Sequence, residues 1–291
     1  MDQDEETATK SNNVGRRGGT KRNLLIISLA YTCAFTSFDA VTNLQSSLNS
    51  SDDVGLHSLV VFYGVSILAC LFFTTPLMHI FGYKWSIFGG QIGMIGYIAA
   101  SMYPKQWLLL PMSAISGILH ASMSTAHDSY ITLLAVDKSD NDEVDEKVTK
   151  YYSIFLIAYQ STQIWGNLVS YFILRKTSSA VNTNLTVCGA NFMPNNHQII
   201  DEIVHVSNKT IYILFGVLIG IILVSMILVI AFLSQRRDME KDQSKSLFHK
   251  SLNYTLSTLK DIITPNHLLL IPLGFWTVAP EAFIIGAFTN V

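Results

Sequence analysis

One apolar stretch of the chain carries polar side chains along a single helical face. Their offsets of 3, 7, 11 and 14 residues return to one side of a helix, and the residues are Ser113, Ser116, His120, Ser124 and His127, with Asp128 flanking them. Imidazole takes up and releases protons near neutral pH, and hydroxyls can bind a solute or bond to a neighbouring helix. The stripe fits either a solute or proton pathway or a packing seam between helices.

Two further acids lie inside apolar segments. Asp39 is near the end of the first segment, and Glu281 is inside the last. An ionisable group that faces lipid is costly, so intramembrane acids usually face protein or water. We expect each acid either to belong to a pathway, or to reach the membrane interface or a basic partner.

These residues do not complete an enzyme or metal site. Two histidines seven residues apart need further ligands to hold a metal, and no nucleophile, phosphate-loop or metalloprotease pattern surrounds the acids. The acidic segment 137–146 lacks the glycine and the closing glutamate of a calcium loop. We predict no enzyme, no cofactor, no metal and no nucleic-acid partner.

The elements that position these side chains are membrane helices, as the composition indicates. Hydrophobic residues make up 49% of the chain and charged residues 14%, about half the usual charged share. Seven apolar segments of roughly 20 residues could each cross the bilayer as a helix, and they cover residues 24–41, 56–80, 85–102, 107–135, 152–174, 211–233 and 268–289. We predict an all-α multipass membrane protein rather than a barrel.

The basic residues predict the orientation of these helices. With the N-terminus inside, fifteen of the 19 Lys and Arg residues lie on the inner side, and the four outside are Lys105, Arg175, Lys176 and Lys209. By the positive-inside rule the N-terminus is cytoplasmic, which argues against a G-protein-coupled receptor. We expect a plasma-membrane protein, with an endomembrane as the alternative.

Glycosylation patterns offer a check on this orientation. Asn184, Asn208 and Asn49 each begin an acceptor pattern on the predicted outer side, although Asn49 is near the bilayer. Asn253 begins a fourth pattern that is predicted to lie inside. We expect Asn253 to stay unmodified.

The first apolar segment ends in the amides and hydroxyls of "NLQSSLN" at 43–49. Such groups can satisfy the last carbonyls of one helix and cap the next. This local explanation accounts for the polarity of the segment but not for its order.

Several stretches, taken in order, resemble one family. They are "NLQSSLN" followed by "VGLHSLVVFYG", Pro76 through Gly82-Tyr-Lys84, "CGANF" at 188–192, "LKD" at 259–261, and "LLIPL" with "AFIIGAFT". Together they resemble the uncoordinated-93-like family, an ion-channel regulatory branch of the major facilitator superfamily of twelve-helix proteins. The resemblance also makes Asn43, Gln45, Ser46 and Ser47 candidates for a partner or solute contact at the outer mouth of the bundle, beside simple capping.

The resemblance implies a major facilitator fold reduced to about seven membrane helices. Residues 24–233 would form the six-helix N-terminal half and 268–291 the seventh helix. Residues 1–23 are predicted to be a disordered cytoplasmic tail, and 234–267 a cytoplasmic linker with an amphipathic helix. Because a complete member would need about five more helices, we expect a fragment, an incomplete gene model or a short form that pairs with another chain.

Some positions depart from the family pattern. Met193 replaces the second Cys expected after "CGANF", and Ser124 and His127 stand where the family tends to have Trp and Gln. The acid of the seventh helix is displaced by one residue to Glu281. At the inner turn, His79 and Ile80 stand in place of the superfamily's gating charges.

The resemblance implies a regulatory subunit or trafficking partner of another membrane protein, most of all a potassium channel. Members are also associated with escorting innate immune receptors. The weakened inner turn favours this function. The alternative is a secondary transporter of a small solute, in which the stripe on the fourth segment lines the pathway and Asp39 or Glu281 couples protons or cations.

Overall fold

The structure is a computed structural model that describes the backbone of residues 2–48, 54–136, 144–175, 208–235, 256–257, 260 and 264–286. Side chains are described in the same ranges, except for residues 2–18, 46–48, 208, 266, 277–278 and 281–286. Within this part of the chain every regular element is a helix. The predicted all-α fold is confirmed.

Within the described residues, seven helices follow one another. They are α1 (Asp2–Leu48), α2 (Val54–Phe72), α3 (Thr74–Ser101), α4 (Gln106–Val136), α5 (Val144–Leu174), α6 (Asn208–Phe232) and α7 (Pro265–Gly286). The seven apolar segments fall on helices except for Phe73, Met102 and Leu233, and the last residues of the seventh segment lie beyond the described range. In the part of the chain that the structure describes, four helices are long and apolar enough to cross a membrane, and they are Gly19–Gln45, Val54–Phe72, Gln106–Val136 and Lys209–Phe232. The count of seven spans stays a prediction.

A glycine separates the second predicted span from the third. Gly82 has φ 74° and ψ 168° inside α3, a conformation that L side chains rarely adopt and glycine adopts freely. Pro76 lies in the first turn of α3, where its missing N–H would have no helical partner. The chain therefore turns at Gly82, inside the turn predicted between Pro76 and Lys84.

The helices pack mainly in two groups around α1 and α4. α1 lies against α5 and α6, α4 lies against α2 and α3, and α4 and α5 join the groups. Glycines allow the closest crossings: a Cβ on Gly166 of α5 would be 2.7 Å from the Thr36 carbonyl oxygen of α1, and one on Gly117 of α4 would be 2.5 Å from the Phe62 carbonyl oxygen of α2. Small residues at such crossings let membrane helices approach closely.

Buried hydroxyls and one carboxamide form hydrogen bonds between α6 and the helices α1 and α3. Ser37 donates to the Leu218 carbonyl at 2.9 Å. Gln91 of α3 donates to Ser225 Oγ at 2.7 Å, and Ser225 donates to the Ala30 carbonyl at 2.5 Å. A single chain of hydrogen bonds thus joins α3, α6 and α1.

The N-terminal segment is part of α1 in the structure. The backbone of α1 is helical from Asp2; extending an existing helix is much easier than nucleating one, and no proline interrupts residues 1–23. The division of the chain into a disordered cytoplasmic tail over residues 1–23 and a bundle from residue 24 stays a prediction. Most of the predicted amphipathic helix between α6 and α7, the acidic loop and the outer loop with Asn184 lie outside the described residues.

Candidate intramembrane polar site

The two ends of the polar stripe of α4 contact different helices, α3 at one end and α1 at the other. At the end nearer Gln106, Ser116 donates to the Gly93 carbonyl of α3 at 2.7 Å. Ser113 is buried and donates to the Leu109 carbonyl of its own helix at 2.6 Å. This end of the stripe is a packing seam between α3 and α4.

The middle of the stripe faces aromatic rings of α1 and α2. The His120 ring lies among Phe35, Phe38 and Phe62, with centroid distances of 5.7, 5.6 and 5.0 Å. No hydrogen bond to the His120 ring nitrogens is present in the described part of the chain. His120 is therefore held by packing and remains half-buried.

The end of the stripe nearer Val136 contacts Tyr31 of α1. The His127 ring meets Tyr31 edge to face at 4.4 Å, and Ser124 is a hydrogen-bond partner of Tyr31. Tyr31 also stacks on Phe35 at 3.9 Å and meets Phe155 of α5 at 4.8 Å. Tyr31 is thus the residue around which α1, α4 and α5 assemble.

His127 keeps one nitrogen unsatisfied. It is 1% exposed, and its Nδ1 lies 2.9 Å from the Met123 carbonyl oxygen, so Nδ1 carries the proton and donates. Its Nε2 is buried and makes no hydrogen bond to the described residues. A buried acceptor without a donor costs about 1–3 kcal/mol. Nε2 is therefore the atom of the site that is able to accept a further hydrogen bond or a proton.

Asp39 lies between α1 and α5. It is 8% exposed, and Thr162 donates a hydrogen bond to its Oδ2 at 2.6 Å. Gly166 lies one turn further along α5 and allows the two helices to approach. The carboxylate therefore takes part in the contact between α1 and α5, and its predicted role in a pathway or at the interface stays a prediction.

Asp128 follows His127 on α4 and is exposed. Its backbone carbonyl accepts a hydrogen bond from the Tyr152 hydroxyl of α5 at 2.9 Å. Tyr152 also lies 3.2 Å from Thr132 Oγ1. Asp128 thus lies beside the site without belonging to its buried part.

The outer-mouth residues Asn43 and Gln45 connect helices. Asn43 Nδ2 donates to Gln163 Oε1 at 3.0 Å and to Asn167 Oδ1 at 3.3 Å, both on α5. Gln45 is 1% exposed and donates to Ser101 Oγ of α3 at 2.7 Å. The described part of this motif therefore holds α1 to α5 and α3, which the sequence did not predict.

Other predicted site residues are only partly described. Ser46 and Ser47 lie in α1, Asn208 begins α6 and Glu281 lies in α7, but the side chains of these four are outside the described part. Asn49 and Asn184 are outside it entirely. Their proposed roles stay predictions.

Sequence reasoning missed Tyr31 and Thr162. A signal for Tyr31 exists, because Tyr31, Phe35 and Phe38 recur at offsets of four and three, the spacing of one helical face. The sequence has no comparable signal for Thr162. Its hydrogen bond to Asp39 of α1 distinguishes it from the other hydroxyls of α5, and that contact is visible only in the structure.

The site is suited to packing, hydrogen bonding and proton uptake. Among the described residues no three His, Cys, Asp or Glu side chains are grouped to hold a metal. Of the buried polar atoms that make no hydrogen bond to the described residues, His127 Nε2 belongs to a ring that contacts Tyr31 and Phe155. The arrangement offers one buried carboxylate, two imidazoles and a tyrosine hydroxyl between α1, α4 and α5.

Comparisons with known proteins identify relatives across most of the chain. A sequence model of the family described as "Ion channel regulatory protein UNC-93" matches residues 47–291. Protein unc-93 homolog A of Xenopus laevis is 31% identical over 92% of this chain and 60% of its own length. The putative potassium channel regulatory protein unc-93 of Caenorhabditis elegans is 26% identical over 92% of this chain and 39% of its own.

A third relative matches about half of the chain. UNC93-like protein MFSD11 of Xenopus tropicalis is 28% identical over 51% of this chain and 33% of its own length. The chain spans about three fifths of the length of the homolog A relatives that it matches.

Proposed function

This chain belongs to the UNC-93 family, an all-helical group of major-facilitator-like membrane proteins, and from that premise we propose that it regulates or escorts a potassium channel. The carrying observation is the match to the ion channel regulatory family over residues 47–291, together with the name of the Caenorhabditis elegans relative. The proposal includes no catalysis, since the family is described as regulatory.

The described contacts support a role that depends on a stable helix bundle. Ser116, Asn43 and Gln45 make hydrogen bonds between helices, so these polar groups already have protein partners. A regulator acts through its outer surface and needs only a rigid interior. The exposed faces of α2, α5 and α6 would meet lipid or the channel.

Co-expression with a potassium channel tests this proposal. We expect the chain to change the current density, and we expect the channel to co-purify with it from the membrane. Gly166→Leu, which would force α1 and α5 apart, provides the control and should abolish the effect at equal expression. Unchanged current without a co-purified channel contradicts the proposal.

A secondary transporter is the second candidate, and the grouping of His120, His127 and Asp39 around α1 favours it. These residues would couple protons or cations to a solute, with Ser116 and Ser124 beside them and Glu281 of α7 as a further coupling group. If so, uptake into vesicles should be lost in a combined His120→Ala, His127→Ala and Glu281→Gln variant. Uptake that survives these changes would remove the assignment.

A further inference from the structure

The end of α6 and the turn at Gly82 of α3 exchange hydrogen bonds. Lys84 Nζ donates to the Ile230 carbonyl of α6 at 2.8 Å. In the other direction, Gln235, which follows α6, donates from its Nε2 to the Phe81 carbonyl at 3.3 Å. Each segment therefore supplies a side-chain donor to the backbone of the other.

α4 adds a third hydrogen bond at the same place. The Tyr130 hydroxyl donates to the Ser234 carbonyl at 3.0 Å. The Tyr130 ring is fully buried and packs edge to face against Tyr83 of the Gly82 turn, with a centroid distance of 6.3 Å and an interplanar angle of 75°. The turn of α3 therefore also holds the ring that reaches the end of α6. The α6 clasp, as we name it, consists of the hydrogen bonds donated by Lys84, Gln235 and Tyr130.

The clasp forms where two helices leave carbonyl groups available. α6 ends at Phe232, and the last four carbonyls of a helix, which include that of Ile230, lack an N–H of the same helix. Phe81 directly precedes the non-helical Gly82, where φ is 74°. The positive charge of Lys84 also suits the C-terminus of a helix, which carries a partial negative charge. The clasp therefore satisfies carbonyl groups that the regular helices cannot satisfy themselves.

A separate contact holds α3 and α6 together further along. Gln91 of α3 donates to Ser225 Oγ of α6 at 2.7 Å. The contacts advance along α3 from Lys84 to Gln91 while they go back along α6 from Ile230 to Ser225, so the two helices are antiparallel. The clasp therefore lies at the end of an interface that is already fixed in its middle, and it holds the last turn of α6 in place.

We propose that the α6 clasp is a conformational device that joins the end of α6 to α3 and α4 as one body. The donors come from three segments, so a displacement of the end of α6 breaks all three hydrogen bonds together. The clasp thereby fixes the point at which the chain leaves α6. The proposal concerns contacts within the bundle and does not depend on a channel partner.

Hydrogen exchange of the full chain in lipid nanodiscs tests the clasp. The Leu233 amide donates to the Val229 carbonyl at 3.2 Å, so its exchange reports opening at the end of α6. Lys84→Met and Tyr130→Phe each remove one donor with little change of shape. Each should speed this exchange about three- to tenfold, as expected for the loss of one hydrogen bond. Lys84→Arg keeps a charged donor and should keep the exchange slow.

Tyr97→Phe is the matched control for Tyr130→Phe. Tyr97 is also fully buried, and its hydroxyl lies 3.0 Å from Ser58 Oγ of α2. Because Ser58 donates its own proton to the Gly55 carbonyl at 2.6 Å, Tyr97 is the donor in that pair. The control thus removes one buried tyrosine donor outside the clasp and should leave exchange of the Leu233 amide unchanged.

Salt separates the charged donor of the clasp from the neutral one. The interaction of the Lys84 charge with the helix end is screened by salt, so the effect of Lys84→Met should shrink at high salt, whereas the effect of Tyr130→Phe should persist. Unchanged exchange in both variants would overturn the proposal, as would an equal acceleration in Tyr97→Phe. Acceleration in only one of the two variants would also contradict it, because the donors would then act as isolated caps.

Discussion

His127 has aromatic contacts on two sides and a nitrogen that makes no hydrogen bond to the described residues. The His127 ring therefore has two properties that substitution can separate. It fills the space beside Tyr31, and its buried Nε2 can accept a hydrogen bond or a proton. The regulatory function needs only the first property, whereas proton coupling needs the second.

Substitution of His127 separates these properties. His127→Phe keeps the ring contacts and removes the unsatisfied nitrogen, so we expect the free energy of unfolding to change by less than about 1 kcal/mol. His127→Ala leaves a cavity beside Tyr31 and should cost about 2–4 kcal/mol. Denaturation in detergent measures both. If Phe destabilises the protein as much as Ala does, the nitrogen has a partner in the folded state.

At the scale of elements, the α1 and α5 crossing depends on a residue without a side chain. Gly166 allows backbone-to-backbone contact at Thr36, and Thr32, Asp39 and Asn43 all hydrogen-bond to α5 nearby. If the helices separated, all of these hydrogen bonds would lengthen together.

Two alanine substitutions test this crossing. Gly166→Ala places a methyl group 2.7 Å from the Thr36 carbonyl oxygen, and such overpacking costs about 1–3 kcal/mol. Gly216→Ala on α6 meets nothing within 4 Å and should be neutral or stabilise by up to about 1 kcal/mol through helix propensity. Thermal unfolding in detergent should give shifts of opposite sign. Equal shifts would show that the crossing is looser than the structure has it.

At the scale of the whole molecule, orientation is the property that glycosylation can test. With the N-terminus inside, Asn184 and Asn208 face the lumen during synthesis and Asn253 does not. Asn184→Gln and Asn208→Gln should each remove one glycan-dependent gel shift, and Asn253→Gln should leave the mobility unchanged. Loss of a shift in the Asn253 variant would reverse the orientation and favour a different topology.

Helix positions could be predicted from the sequence, whereas the partners of each polar side chain could not. Length and hydropathy alone placed the segments of α4 and α6, because burial in lipid requires a continuous apolar run. The turn at Gly82 was also within reach, since the Pro and Gly pattern marks it.

The contact partners of the site residues could be identified only from the three-dimensional structure. The α4 stripe was visible as a pattern, but its division between Gly93 and Tyr31 depends on how three helices cross. Gln45 was predicted at an outer mouth, yet it is buried against Ser101, 56 positions away along the chain. No local pattern specifies a contact at that separation.

The hydrogen bonds of α1 have a consequence for biogenesis. Asp39 and Asn43 find their partners on α5, 123 and 120 residues later in the chain, which corresponds to about 6–25 seconds of synthesis at 5–20 residues per second. Because α1 is synthesised before α5, these two hydrogen bonds form only after the chain has been made as far as α5, and the crossing of α1 and α5 is completed late in synthesis.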